Sequence, residues 1–193
     1  MKSRRHFLAA GLAAPWARTA RAAVDGDADP EALLRAGGVV VAWRHALAPG
    51  TFDPPGFTLG DCRTQRNLDD EGRAQARRIG AWFRARGLQP ARVRSSPWCR
   101  CVDTAMLAFG QPELMASLGS PRGATESTNA ASLGELRRAL AEASARPGRF
   151  EVWVTHMFVL ADLAGVNTAS GEGLVLQADS RGAPRVRARI VVP

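Results

Sequence analysis

The chain has 193 residues, 26 of them lysine or arginine against 18 aspartates and glutamates, for a formal net charge of +8. Five of the basic residues (Lys2, Arg4, Arg5, Arg18, Arg21) and none of the acidic ones lie in the first 22 residues, so the remainder carries 21 against 18, or +3. That small, scattered excess argues against a nucleic-acid partner, and about 170 residues suit one domain with its own core.

The opening MKSRRHFLAAGLAAPWARTARA reads as an export signal rather than as part of the fold. Lys2, Arg4 and Arg5 make a basic start, Phe7 to Ala14 is an apolar run too short to span a bilayer, and Ala20-Arg21-Ala22 is a small-x-small cleavage pattern. SRRHFL matches the twin-arginine type. The expectations are engagement with the twin-arginine export machinery, a periplasmic or secreted product, and a folded unit over residues 23–193. No other segment is apolar enough for a membrane helix, so no stable membrane insertion is expected. In an oxidising compartment the odd set Cys62, Cys99 and Cys101 allows one disulfide and one spare thiol. A Cys99–Cys101 bond would close a strained ring, which favours Cys62 paired with either of the other two.

Along the chain, Pro30 to Arg35 reads as a short helix ended by Gly37-Gly38, and Val39 to Trp43 as a buried strand rich in β-branched residues. Residues 46–67 contain Pro49, Gly50, Pro54, Pro55, Gly56 and Gly60, which rule out a regular element. A loop that long beside a strand end is often functional. Asp69 reads as the cap of a helix that Gly87 stops, with Ala76, Ile79, Trp82 and Phe83 on one face. Ala91 to Ser95 reads as a second strand, and Ser96 and Pro97 as the cap and first residue of a helix ending at Gly110. Residues 111–131 read as flexible, and Ser132 with Glu135 as a capping box for a helix to about Ala145. Phe150 to Thr155 is a third strand, ending at His156, and Met157 to Ala164 a helix stopped by Gly165. Leu174 to Gln177 and Arg185 to Val191 can pair across the turn DSRGAP. The order predicts an α/β fold, a mixed sheet with helices on both faces.

Three strands end in polar residues: the first in Arg44 and His45, the second in Ser95-Ser96 leading to Arg100, and the third in His156. Parallel strands would bring these groups to one edge, where open α/β sheets bind ligands. Past residue 22 the chain has only two histidines, and both stand there. The chemistry available is phosphoryl transfer. Guanidinium forks hold phosphate oxygens in charge-assisted hydrogen bonds, a helix N-terminus adds N–H donors, and an imidazole nitrogen attacks phosphorus in line. A second imidazole stabilises the equatorial oxygens.

Arg44-His45 after a hydrophobic strand, Ser95-Ser96-Pro97-Trp98-Cys99-Arg100 followed by Asp103-Thr104-Ala105, and Val154-Thr155-His156 together resemble the histidine phosphatase superfamily, which includes the phosphoglycerate mutases and the acid phosphatases. Asn67-Leu68, Gly72, Gln75 and Ala76 resemble a helix start of the same family. The resemblance implies a three-layer α/β/α fold with a mixed, mostly parallel sheet. It implies His45 as the phosphorylated nucleophile, Arg44 and Arg100 as the phosphate clamp, and His156 as the second histidine at the phosphate. It implies no metal or other cofactor, with a phosphorylated small molecule or a phosphoprotein as substrate. Two departures stand out. Ala46 replaces the glycine usual after the first histidine, which is tolerable if φ there is negative. Met157 replaces the aspartate common after the second histidine in the acid-phosphatase branch, which favours the mutase-like branch.

An ester leaving group needs a proton donor. Glu126 is the candidate general acid, if its segment folds over the site, and Glu172 is another; Asp103 is expected to cap or pair within its own helix. Substrates with good leaving groups, such as phosphohistidine, would need no such acid. Other readings are a phosphate-binding envelope protein without turnover, a mutase, and a zinc site using Cys99-x-Cys101 with His45 and His156. Trp43, Trp82 and Trp153 read as core, Trp98 as a pocket wall, and Phe52 and Phe57 as substrate contacts or core.

Overall fold

The computed structural model describes residues 28–50, 52–120 and 126–193. The expected export segment, residues 1–22, lies outside the described residues.

Helix α1 (Pro30–Ala36) starts on Asp29, whose side chain accepts from the Glu31 amide, and ends at Gly37 with φ 69°. Strand β1 (Val39–Arg44) is buried along its length, and its alternate residues serve two cores. Val39, Val41 and Trp43 face Ile79 and Phe83 of α2 (Asp70–Ala85) and Ala105 of α3 (Cys99–Phe109). Val40 and Ala42 face Leu136 and Leu140 of α4 (Glu126–Ser144) and Leu160 of α5 (Met157–Ala164). A strand with apolar neighbours on both faces carries a continuous hydrophobic run rather than an alternating one, which is why VVVAW stands out in the sequence.

The remaining strands are β2 (Arg92–Ser95), β3 (Glu113–Leu114), β4 (Phe150–Thr155), β5 (Glu172–Ala178) and β6 (Pro184–Val191). They form one sheet in the order β3-β2-β4-β1-β5-β6. The first four of these are parallel, while β5 runs antiparallel to β1 and to β6. The result is a three-layer α/β/α fold with a mixed, mostly parallel sheet. Because β1 and β4 are parallel neighbours with Arg44 opposite Thr155, the residues that follow each strand emerge side by side.

Three boundaries differ from the sequence reading. Helix α3 begins at Cys99, two residues later than Pro97, with Trp98 at the cap position and no side-chain cap from it. The Cys99 amide instead donates to Gln65 Oε1 at 3.0 Å, a partner 34 residues away. Residues 111–131 are not one flexible stretch: β3 and a 3-10 turn at Ala116–Leu118 lie within it. Helix α4 begins at Glu126, so Ser132 is a helix-interior residue and opens no capping box.

Candidate active site

The site forms where β1, β2 and β4 end. The His45 amide donates to the Thr155 carbonyl at 2.9 Å and the Ser96 amide to the Val154 carbonyl at 2.9 Å, so strand pairing carries straight into the site residues. His45 and His156 are each 2 % exposed, and their rings meet edge to face with centroids 5.5 Å apart. The sequence-predicted set Arg44, His45, Arg100 and His156 is therefore brought together.

His45 Nδ1 lies 2.8 Å from the Ala46 carbonyl oxygen. A carbonyl only accepts, so Nδ1 carries the proton and Nε2 keeps its lone pair. Burial, with Arg100, Arg66 and Arg44 close by, pushes the imidazole down to about 3, against a partial lift from the Ala46 contact. His45 is thus neutral at pH 7. Ala46 fits without strain, because no non-glycine residue among those described has a positive φ. Its amide donates to Thr104 Oγ1 at 3.0 Å, and that hydroxyl donates to the Arg100 carbonyl at 2.7 Å, which ties α3 to the end of β1.

Arg100 Nη2 donates toward His156 Nδ1 at 3.4 Å, which leaves His156 Nε2–H to donate to Ser96 Oγ at 2.8 Å. Burial first, then His45 and the arginines, holds His156 well below the usual imidazole range. The Cys101 thiol sits 3.5 Å from His156 Nε2 and donates to the Thr155 carbonyl at 3.6 Å; burial pushes it up to about 12, so it is no thiolate. Ser96, read from sequence as a helix cap, accepts from the Trp98 amide at 3.3 Å and also serves the second histidine.

A third guanidinium, Arg66, joins Arg44 and Arg100. Each is anchored through Nη1: Arg44 on the Thr168 carbonyl at 2.7 Å, Arg100 on Asp53 Oδ1 at 2.8 Å, and Arg66 on the Ala48 carbonyl. Each keeps a buried Nε with no hydrogen-bond acceptor among the described residues. Burial and the proximity of Arg100 lower the pKa of both Arg44 and Arg66. Three converging cations with unspent buried donors make a site for an anion with several oxygens.

Arg66 and Asp53 were not foreseen. Both lie in the loop of residues 46–67, where no periodicity marks them. Asp53 Oδ1 also accepts from the Arg66 amide at 3.0 Å, and Oδ2 from Trp98 Nε1 at 3.3 Å. Burial alone would raise its pKa, but these hydrogen bonds and Arg100 outweigh it and lower it. The Cys62–Cys99 disulfide fastens the same loop to α3, and Cys101 is the free, buried thiol. That bond also removes Cys99 as a zinc ligand, and no group of three or more His, Cys, Asp or Glu among the described residues is placed to hold a metal ion. Phe57 stacks on Trp98 at 5.6 Å, and Trp98 meets His156 edge-on at 5.4 Å, so Trp98 walls the site as expected. Phe52 is exposed, Trp43 and Trp153 are core, and Trp82 is half-buried under Arg86.

The candidate acids stand differently. Glu126 opens α4, but its side chain lies outside the described residues. Glu172 is buried, accepting from the Ala169 amide at 2.8 Å and pairing with Arg189, so it braces the segment that holds Arg44. Asp103 is half-buried on α3; burial raises its pKa and the nearby charge of Arg73 on α2 opposes the rise.

Residues 59–119 match the model of the histidine phosphatase superfamily (branch 1). The fold matches solved structures. One is the protein histidine phosphatase SixA complexed with tungstate, with 18 % identity, TM-score 0.54, and coverage of 79 % of this chain and 96 % of that one. Another is phosphoglycerate mutase from Thermus thermophilus, with 18 % identity, TM-score 0.57, and coverage of 80 % and 99 %. The fold is the one seen in phosphoglycerate mutase-like histidine phosphatases. A phosphoserine phosphatase from Entamoeba histolytica, in complex with phosphoserine, shares the same fold at 14 % identity and TM-score 0.57, over 78 % of this chain and 95 % of that one. No curated protein sequence matches the chain. In this histidine phosphatase fold, the cluster of His156, Arg100, Ser96 and Cys101 is consistent with phosphohistidine-based chemistry.

Proposed function

We propose that the chain is a metal-independent phosphatase that hydrolyses phosphomonoesters or phosphohistidine through a phosphohistidine on His45. The observation that carries this reading is the set of three anchored guanidiniums, each with an unspent buried Nε, around an imidazole whose Nε2 is unprotonated. The phosphoryl oxygens take the Arg44, Arg66 and Arg100 donors. His45 Nε2 attacks phosphorus, a P–N bond forms, and the bond to the leaving group breaks. Water then attacks the phosphohistidine, the P–N bond breaks, and phosphate leaves. His156, held on Ser96, contributes an N–H dipole beside the charge that shifts during transfer.

Glu126 is the proposed proton donor for ester substrates, and Glu172 is set aside because Arg189 and the Ala169 amide occupy it. The assignment is tested by turnover without metal, at about pH 5 to 7, on phosphoesters of graded leaving-group pKa and on phosphohistidine. An acid-labile, alkali-stable phosphoenzyme that vanishes in His45→Ala supports the scheme. Phosphate binding with no turnover of any substrate would favour a binding protein on the same fold, and a requirement for a divalent metal would point to a different hydrolase. We further propose export by the twin-arginine-type segment of residues 1–22, a reading in keeping with the Cys62–Cys99 disulfide, which belongs in an oxidising compartment. A processed, periplasmic product detected by fractionation tests it.

A further inference from the structure

The geometry points to Asp53 as the positioning residue that aims Arg100 at the phosphoryl group; this rests on the phosphatase reading above. Of the three guanidiniums, Arg44 and Arg66 are anchored on main-chain carbonyls, and Arg100 alone is anchored on a side chain, the carboxylate of Asp53. A guanidinium offers two donor edges. With Nη1 committed to Asp53 Oδ1 at 2.8 Å, the edge left for an anion is Nε with Nη2. The Nε on that edge is buried and lacks an acceptor among the described residues, and Nη2 already borders His156 at 3.4 Å. Asp53 therefore selects which edge of Arg100 faces the histidines.

The carboxylate is itself held at three points. Its oxygens accept from Arg100, from the Arg66 amide at 3.0 Å and from Trp98 Nε1 at 3.3 Å. One side chain thus joins the loop of residues 46–67, the start of α3 and the Arg100 guanidinium. Its ionised state is stabilised by these contacts. Its hydrogen bonds go to Arg100, the Arg66 amide and Trp98 Nε1, and of these the Arg100 guanidinium is the group it aims.

Two physical effects of removing Asp53 have opposite sign. Losing a negative charge beside three cations tightens anion binding, whereas freeing Arg100 to swing weakens it. The two-donor edge is worth more to a phosphate than one partly screened charge, because both of its hydrogen bonds depend on aim. Weakening is the expected result.

The experiment measures inorganic phosphate affinity by calorimetry and steady-state kinetics with a phosphoester. It compares wild type, Asp53→Asn, Asp53→Ala, Arg100→Ala and the double variant Asp53→Ala/Arg100→Ala. Asp53→Asn keeps the shape of the side chain and guards against misfolding of the alanine variant; thermal midpoints check both. Both single Asp53 variants are expected to raise the phosphate Kd and KM about ten-fold, the scale of a lost charge-assisted hydrogen bond. On the Arg100→Ala background, Asp53→Ala is expected to add almost nothing. Tighter phosphate binding in Asp53→Asn, or an equal additional loss on the Arg100→Ala background, overturns the positioning role while leaving the phosphatase reading intact. Wild-type protein that neither binds phosphate nor turns over any phosphoester overturns both.

Discussion

His45 and His156 end neighbouring parallel strands and meet edge to face, ring centroids 5.5 Å apart, yet their nitrogens are committed differently. His45 spends only Nδ1, on the Ala46 carbonyl, whereas His156 spends both, on Arg100 and Ser96. On the proposed reading, this asymmetry suits His45 to attack and His156 to support. His45→Ala is expected to lose turnover by about 10³-fold or more while keeping phosphate affinity within a few-fold, because the guanidiniums remain. His156→Ala is expected to weaken phosphate binding as well, because it removes a neighbour of Arg100. Calorimetry with phosphate beside single-turnover kinetics separates the two outcomes; equal turnover in His45→Ala and wild type removes His45 as nucleophile.

Burial of two neutral imidazoles makes stability depend on pH. His45 titrates at about 3 in the fold against 6.5 for the free side chain, and His156 is displaced in the same direction. Between those values the unfolded chain binds protons that the folded one refuses. Stability therefore rises with pH through this window and is lost on acidification below about pH 6.5, at up to about 1.4 kcal/mol per pH unit for each histidine. Denaturant midpoints measured from about pH 4 to pH 7 should fall toward acid, with a shallower slope in His45→Ala. A slope unchanged by that substitution would show that His45 accepts a proton without penalty in the folded protein.

What the sequence disclosed and what it hid divide by the range of the interactions. Strand β4, Phe150–Thr155, is legible because a short run rich in β-branched and aromatic residues sits between the Pro147-Gly148 break and His156. The strand-end residues Arg44, His45 and His156 are legible for the same reason, since parallel pairing makes strand ends converge. The start of α3 is not, because its cap is Gln65, which only the folded loop delivers. Asp53 and Arg66 are invisible to local pattern: their partner Arg100 is 47 and 34 residues away, and nothing periodic surrounds them. The local Ser132–Glu135 signal points to a later start for α4 than Glu126, because a capping pattern inside a helix already under way looks the same in sequence. Ala46 in place of glycine is accommodated because its φ is negative, which only the backbone shows.

The Cys62–Cys99 bond closes a 37-residue separation between the loop and α3. Opening it, by a small dithiol or by Cys62→Ser, is expected to lower stability by about 2–4 kcal/mol. It should also raise the phosphate Kd, because Asp53 and Arg66 ride on the released loop. Comparing oxidised and reduced protein by denaturation and by phosphate calorimetry checks both parts. Unchanged phosphate affinity in the reduced, folded protein would mean that the Asp53–Arg100 pair holds the loop unaided.

Gly72 on α2 is required by closeness rather than by backbone angle. A Cβ there would lie 1.9 Å from the Leu47 carbonyl oxygen, within the turn that follows His45. Leu47 is also held by its amide on Gln75 Oε1 at 2.9 Å, and Gln75 Nε2 reaches the Ser170 carbonyl at 2.9 Å, so the turn cannot retreat without disturbing the loop that anchors Arg44. Gly72→Ala is expected to cost about 3 kcal/mol of stability. It should also lower kcat/KM, because any shift of Leu47 moves the Ala46 carbonyl that sets the His45 tautomer. Gly134→Ala is the contrast: its new methyl would meet only the end of the Arg138 side chain, at 3.7 Å, inside α4. There the better helix propensity of alanine should leave stability unchanged or raise it by about 0.5–1 kcal/mol, with kinetics unaltered. Equal effects of the two substitutions would mean that the contact between α2 and the Leu47 turn does not hold His45 in place.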